Sequence, residues 1–377
     1  MFFKTFGGSF AVTAVFLFLA FLYGGTPGLT IATILAILEI SVSFDNAVVN
    51  ATVLGKMSLF WQKIFLTVGI AIAVFGMRLA FPLIIVGITA HLSPAEAVNL
   101  ALEKGSQDTP GTYANLLHEA HPAIAAFGGV FLLMLFLNFI FEEREITWLS
   151  WLEKPLARIG RLDQLAVVVS VVLLLIAATE LAPHDKGLSV LISGSLGMIT
   201  YILVSGLGDV LESSHEHADE EGASSDAGKA GKALKPNAQV ALQVGKAAFV
   251  SFLYLEVLDA SFSFDGVIGA FAITSDPIII ALGLGIGAMY IRSMTVFLVR
   301  KGSLAQYVYL EHGAQWAIGA LSILLLLTIK FEVPELVTGL IGISLIAAAF
   351  VSSIVRNKRN PDAEESADDI EAIPATV

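Results

Sequence analysis

Apolar residues in this chain come in long blocks, and the polar ones are largely confined to the connections between them. Runs at about 8–24, 30–54, 64–88, 122–141, 164–182, 188–211, 243–272, 277–299, 314–330 and 335–355 each approach the length a helix needs to cross a bilayer, about 20 residues before tilt. None shows sustained period-two alternation, so the pattern predicts an all-α integral membrane protein with about ten transmembrane helices, and not an outer-membrane barrel. Two polar stretches are longer than the rest. Residues 89–121 contain an amphipathic piece from Pro94 to Glu103, and residues 212–240 have the Ala, Gly, Ser and charge content of a flexible linker.

Composition agrees: 56% of residues are hydrophobic and 14% charged, with a mean hydropathy of +0.81. Charge then orients the chain. With the N terminus inside, fifteen of the 21 Lys and Arg face the cytoplasm and three, Lys104, Lys186 and Lys330, face away; Arg78, Lys246 and Arg292 lie in or at the edge of spans. Both termini are therefore expected in the cytoplasm, with the protein multi-pass in the cell inner (plasma) membrane. Lys4 and the apolar stretch after it suggest a signal peptide, but Gly24-Gly25-Thr26-Pro27-Gly28 is a poor cleavage site, so the first span is expected to be retained. The absence of cysteine excludes disulfides and thiolate metal sites. Much of the net charge of −12 sits in soluble loops and in the tail at 357–377, which reads as disordered.

One phrase is written twice inside the apolar runs: Glu39-Ile40-Ser41-Val42-Ser43-Phe44-Asp45-Asn46 and Asp259-Ala260-Ser261-Phe262-Ser263-Phe264-Asp265-Gly266. Each is followed in the next span by an arginine, Arg78 or Arg292, and later by Tyr-x4-His, as Tyr113…His118 or Tyr307…His312. Three landmarks in the same order mark an internal repeat. The two phrases fall on the second and seventh expected spans, five crossings apart, so their helices should run in opposite directions. The expected architecture is two inverted-topology repeats, five plus five spans with a core of three plus three, and a substrate site between them. Residues 1–211 would hold the first repeat and the opening span of the second half, 212–240 a cytoplasmic linker, and 241–356 the remainder.

A carboxylate in the middle of a membrane span costs about 2.5–3.5 kcal/mol on insertion scales, so a doubled acidic phrase asks for a function. On an ideal helix Glu39, Ser43, Asn46 and Asn50 share a stripe, while Asp45 lies nearly opposite Glu39. Either the helix is central in the bundle or it breaks near Ser41–Asn46 so that both acids face one cavity. The second copy adds Glu256, and Gly266 in place of Asn46 would ease a similar break there. Carboxylates, hydroxyls and an amide suit a hard divalent cation such as Mg²⁺, Mn²⁺ or Ca²⁺. The structural alternative is that the acids pair with Arg78 and Arg292 to fix helix packing, but two arginines leave part of five carboxylates unneutralised. His118 and His312, at the mouths of spans, suit either gating or capping. His215-Glu216-His217 and the acids after it read first as a solvated linker. No Walker loop, nucleophile elbow or zinc-protease motif occurs, so an enzyme is not expected, nor is a nucleic-acid partner.

Glu39-x5-Asp45-Asn46-Ala47-Val48-Val49 with Arg78 one span later resembles the Glu-x5-Asp-Asn-Ala signature of the TerC family, and Phe262-Ser263-Phe264-Asp265 is similar to that family's second acidic motif. The chain resembles an uncharacterised-domain branch of this group, within the LysE-type transporter superfamily, associated with tellurite resistance and, in several members, manganese export. The resemblance implies metal-binding acids at Glu39, Asp45, Asp259 and Asp265, with Asn46 beside them. Ser43 and Ser263 would complete the shell, with Arg78, Arg292, Glu256, His118 and His312 as charge partners or gating residues. The expected function is export of Mn²⁺ or a similar divalent cation, by exchange for protons, with no tightly bound cofactor. Two alternatives stand: a membrane scaffold of a metal or tellurite stress complex, docking cytosolic partners on the linker or tail, and an exporter of an amino acid or other small organic solute. Asp265-Gly266, where the common TerC form has Asp-Ser, departs from the pattern.

Overall fold

The computed structural model describes residues 2–55, 57–103, 105–144, 146–162, 164–223, 245–274, 276–300 and 307–359. They form an all-helical protein, and seven helices are long and apolar enough to cross a membrane. Lipid offers no partner for backbone N–H and C=O groups, so a chain of this composition satisfies them within helices.

The first helix, α1 (Phe2–Val42), is too long for one crossing: 41 residues would extend roughly 60 Å. It is broken at Gly25, whose φ of 63° and ψ of −154° no side-chain-bearing residue adopts easily, with Pro27 just beyond. The two arms, 2–24 and 26–42, fold back on each other: a Cβ on Gly28 would lie 2.8 Å from the Ala20 carbonyl oxygen, whereas eight residues of straight helix span roughly 12 Å. Both arms pack on α11 (Pro277–Arg300). Ser9 meets Met289 and Ser293, Phe16 meets Gly285 and Ala20 clusters with Ile279, so the first arm runs antiparallel to α11. Leu35 then meets Gly283 and Glu39 meets Gly287, so the second arm runs parallel to it.

After Ser43 comes α2 (Phe44–Leu54). Then α3 (Leu59–Ile64), π-helical turns at Phe65–Gly69 and Ile72–Ala80, and α4 (Phe81–Thr89) make one apolar rod over Leu59–Ile88. This rod is antiparallel to α11: Phe65 contacts Arg292, Val74 contacts Gly285, and Arg78 and Pro82 line a cavity with Pro277 and Ile280. The short α5 (Pro94–Leu102) is the amphipathic piece expected between spans. Further along are α6 (Tyr113–Phe141), α7 (Ser150–Ile159), α8 (Leu165–Ile176) with a π-turn to Leu181, and α9 (Gly187–Ala223). The chain continues with α10 (Gly245–Ile273), α11, α12 (Leu310–Thr328) and α13 (Glu335–Arg359). The largest apolar cluster joins α6 to α8, α9 and α12 around Phe131, Leu132, Leu133 and Met134.

Helix α9 carries helical backbone through 212–223, into the stretch whose composition suggested a linker. The rest of that linker, with residues 224–244, and the tail from 360 onward lie outside the described residues.

Close approach of α11 to α1 rests on glycine. A Cβ on Gly287 would lie 2.1 Å from Cγ of Glu39, and one on Gly283 would lie 2.7 Å from Cβ of Leu35, a small-x-x-x-small face that lets backbones touch. Gly287→Ala should therefore lower the thermal midpoint of the purified protein, by overpacking worth about 1–3 kcal/mol. The control is Gly7→Ala, whose Cβ meets nothing within 4 Å and should leave the midpoint level or higher. Equal midpoints for the two variants would contradict this packing.

Helix α5 begins with a capping box: Ser93 Oγ accepts from the Glu96 N–H at 3.3 Å, and Glu96 Oε2 accepts from the Ser93 N–H at 2.8 Å. These hydrogen bonds hold the exposed Glu96 carboxyl below its ordinary value of 4.5. A depressed folded value means the cap's support is present above 4.5 and is lost as pH falls through the folded value. Amide exchange over 94–102, corrected for intrinsic rate, should rise through that range in the wild type. In Glu96→Gln, whose amide oxygen can accept the same hydrogen bond but does not titrate, it should be flat with pH, and a flat wild-type profile would contradict the assignment.

Candidate functional site

The first acidic phrase sits at a helix break. Helix α1 ends at Val42, Ser43 takes φ −96° and ψ 19°, and α2 starts at Phe44. A break here is one of the two arrangements that the two-faced polarity of the phrase left open, and it occurs at the buried Ser43. The second phrase behaves differently, because α10 is helical through Asp259, Asp265 and Gly266. Gly266 does not ease a break. It makes room instead, since a Cβ there would lie 2.9 Å from Oε2 of Glu39. The first phrase's leading acid therefore rests on the second phrase's helix.

Two buried ion-pair clusters result. Arg78 pairs with Glu39 through Nη2 and donates from Nη1 to the Ala73 carbonyl at 2.8 Å. The rod is π-helical here, a geometry that recurs at functional sites, and the second lone pair of that carbonyl takes the guanidinium. Arg292, 1% exposed, forks onto Glu256 with two 3.2 Å hydrogen bonds and reaches Asp259 Oδ2 at 3.1 Å. Its Nη1 also donates to the Phe65 carbonyl at 3.3 Å, and its guanidinium lies 4.2 Å over the Phe65 ring. A planar fork matched to carboxylates and an aromatic face is chemistry that Arg performs and Lys does not.

The clusters are clasped reciprocally. Arg292 and Glu256 pack on Gly69, in the rod that carries Arg78, where a Cβ would fall 2.3 Å from Arg292 Nη1. Glu39, the partner of Arg78, packs on Gly287, in the helix that carries Arg292. Asp259 and Gly266 are seven residues apart on α10, so the clusters are separated by roughly 10 Å along the helix axis. Charge does not balance in the second: Glu256 and Asp259 face one guanidinium.

The other predicted residues divide. Ser43 and Asn46 are buried at the break, next to the first cluster in sequence. Asn50, one turn beyond Asn46, is fully buried and neither amide atom has a hydrogen-bond partner. The side chains of Asp45, Ser263 and Asp265 lie outside the described residues, though their backbones belong to α2 and α10. Among the described residues no group of three or more His, Asp or Glu stands ready to hold a metal ion. His118 is exposed on α6. His312 is buried far along the chain from both phrases, with Nδ1 3.1 Å from Glu153 Oε2. Matching positions in the sequence repeat thus meet different surroundings.

Sequence reasoning did not single out Glu153. This buried carboxylate, in the first turn of α7, accepts from the Trp148 and Leu149 N–H groups at 3.0 and 3.2 Å and from Trp316 Nε1 at 3.0 Å. A signal was available: it is an acid next to Lys154 in a segment that is otherwise basic and aromatic. A cavity of about 210 Å³ also escaped the sequence. Arg78, Tyr113, Pro277 and the α5 residues Val98, Ala101 and Leu102 are among its lining, so it runs from under α5 to the first ion pair.

A bundle of apolar helices enclosing paired charges defines a multi-pass membrane protein with an ionisable interior. The chain belongs to the family described as a protein of unknown function (DUF475), which matches residues 44–360. No curated protein and no solved structure matches it.

Removing one partner from a buried pair leaves an uncompensated charge, at a cost of about 3–5 kcal/mol, whereas neutralising all partners costs far less. Arg292→Met should therefore lower folded yield and thermal midpoint sharply. Adding Glu256→Gln and Asp259→Asn to it should recover most of the loss. A triple variant as unstable as the single one would show that the charges are not the reason.

Proposed function

We propose that this protein is a TerC-like transporter of Mn²⁺ or a similar divalent cation, working by exchange for protons across the inner membrane. The observation that carries the reading is the pair of reciprocally clasped acid–guanidinium clusters, with acids in excess, between two antiparallel helices. Glu39, Asp45, Asp259 and Asp265 are the proposed ligands, with Ser43, Asn46 and Ser263 completing an oxygen shell suited to a hard cation. In the empty state Arg78 and Arg292 hold Glu39, Glu256 and Asp259; an arriving cation takes the place of a guanidinium or of protons on these acids.

The architecture of this reading is two inverted repeats. The seven apolar helices become ten crossings when α1 counts as two, and when the 165–181 helix and α10 are added. The antiparallel run of the Arg78 rod against α11 is what inverted copies of one helix would give. Both termini then lie in the cytoplasm, as the distribution of Lys and Arg favours.

A second reading rests on the cavity under α5. It is mostly apolar and ends on Arg78, whose Nε has no hydrogen-bond partner, a setting for the carboxylate of a small organic solute. One assay separates the two. Proteoliposomes carrying wild type should move radioactive Mn²⁺, faster with an opposing proton gradient, and Asp45→Asn with Asp265→Asn should cut flux at least about tenfold. Equal flux in a correctly inserted double variant would refute the cation site. No Mn²⁺ flux in either, with flux of a labelled amino acid, would favour the second reading.

A further inference from the structure

We propose that a second site, sharing no lining residue with the two ion-pair clusters, binds a phosphate-bearing anion at the membrane interface. It is the cavity of about 440 Å³ between the C-terminal end of α6 and α7, with Phe139 and Ile140 on one side and His312 of α12 at its base. Four cations line it, and they are not equivalent. Arg144 is paired with Glu142 at 2.6 Å and lies 4.0 Å over the Phe139 ring, and Arg161 is paired with Glu143 at 2.6 Å. Lys154 and Arg158, one helical turn apart on the same face of α7, carry no ion pair or hydrogen bond among the described residues.

The base of the cavity is built rather than incidental. Glu153 spends its oxygens on two backbone N–H groups and the Trp316 indole, so its charge is largely satisfied and faces inward. Buried His312 leans on Glu153 without a hydrogen bond at Nδ1 and lines the same cavity. Two unengaged cations beside paired ones, above a buried histidine, offer the multiple donors that a phosphate takes.

The position on α7 points to where the anion comes from. Going round the helix, buried Glu153 and Ala157 give way to the basic Lys154 and Arg158, with Arg161 just past the helix end, and then to Trp151, Ile159 and the following Leu162. Those last three are 75%, 52% and 63% exposed. A basic stripe beside an exposed apolar one is how an in-plane interfacial helix sits, with cations at headgroup level and the aromatic toward the acyl chains. An anionic lipid headgroup therefore fits this face, and free phosphate is the soluble source of the same chemistry.

Native mass spectrometry of the full chain in detergent tests this, using phosphatidylglycerol, phosphatidylcholine and inorganic phosphate as probes. Wild type should retain phosphatidylglycerol over phosphatidylcholine, and Lys154→Gln with Arg158→Gln should weaken that retention roughly tenfold. Lys358→Gln with Arg359→Gln, in the exposed last turn of α13, should not. Displacement of the lipid by millimolar phosphate, with a phosphate-dependent rise in melting temperature that the α7 variant loses, would assign the site to a soluble phosphate. Binding unaffected by the α7 variant, or weakened equally by the α13 variant, would overturn the proposal. So would retention by wild type of neither phosphatidylglycerol nor inorganic phosphate. The α7 residues are exposed, so unchanged circular dichroism should confirm that the variant is folded.

Discussion

Guanidinium and carboxylate groups inside a helical bundle persist only when each finds the other, because the surroundings cannot hydrate them. Arg292, 1% exposed, meets this condition with two acids, a backbone carbonyl and an aromatic face, and Arg78 meets it with Glu39 and the Ala73 carbonyl. Much of the central architecture follows from accommodating these heads. Gly69, Gly266 and Gly287 are bare where the charged side chains pass, and the Arg78 rod is π-helical where it supplies an acceptor. Ser43 interrupts the helical run four residues after Glu39.

That arrangement pairs the charges without balancing them. Two acids against one guanidinium in the second cluster leave carboxylate character unspent. A purely structural ion pair has no need of surplus acids. In the proposed cation carrier, the surplus would let arginine, proton and metal compete for the same oxygens.

The parts legible in sequence were those where charge interrupts apolar runs. Glu39, Glu256, Asp259, Arg78 and Arg292 stand out for that reason, but which acid meets which arginine was not legible, and their pairing was only the structural alternative to a metal site. The hairpin at Gly25 falls between the separate apolar runs at about 8–24 and 30–54. What stayed hidden was which apolar positions the charged heads pack against. Nothing in the spacing of Phe65, Gly69 or Gly287 distinguishes them from neighbours, because their roles arise from a helix distant in sequence. The π-turns have no sequence signature, and Gly266 was misread as a breaker because a glycine's use as clearance depends on what lies opposite. The histidines of the repeated Tyr-x4-His show the limit of repeat reasoning: His118 is exposed, and His312 is buried against Glu153.

Equilibrium binding of Mn²⁺ to the purified protein, followed by the paramagnetic resonance of free Mn²⁺, tests the central claim most directly. Wild type should sequester the ion, more strongly as pH rises and protons leave the acids. Asp259→Asn, which keeps Arg292 paired to Glu256, should bind at least about tenfold more weakly. A folded wild type that leaves Mn²⁺ free, or an Asp259→Asn variant that binds as tightly, would contradict the account and leave the two clusters as packing devices alone.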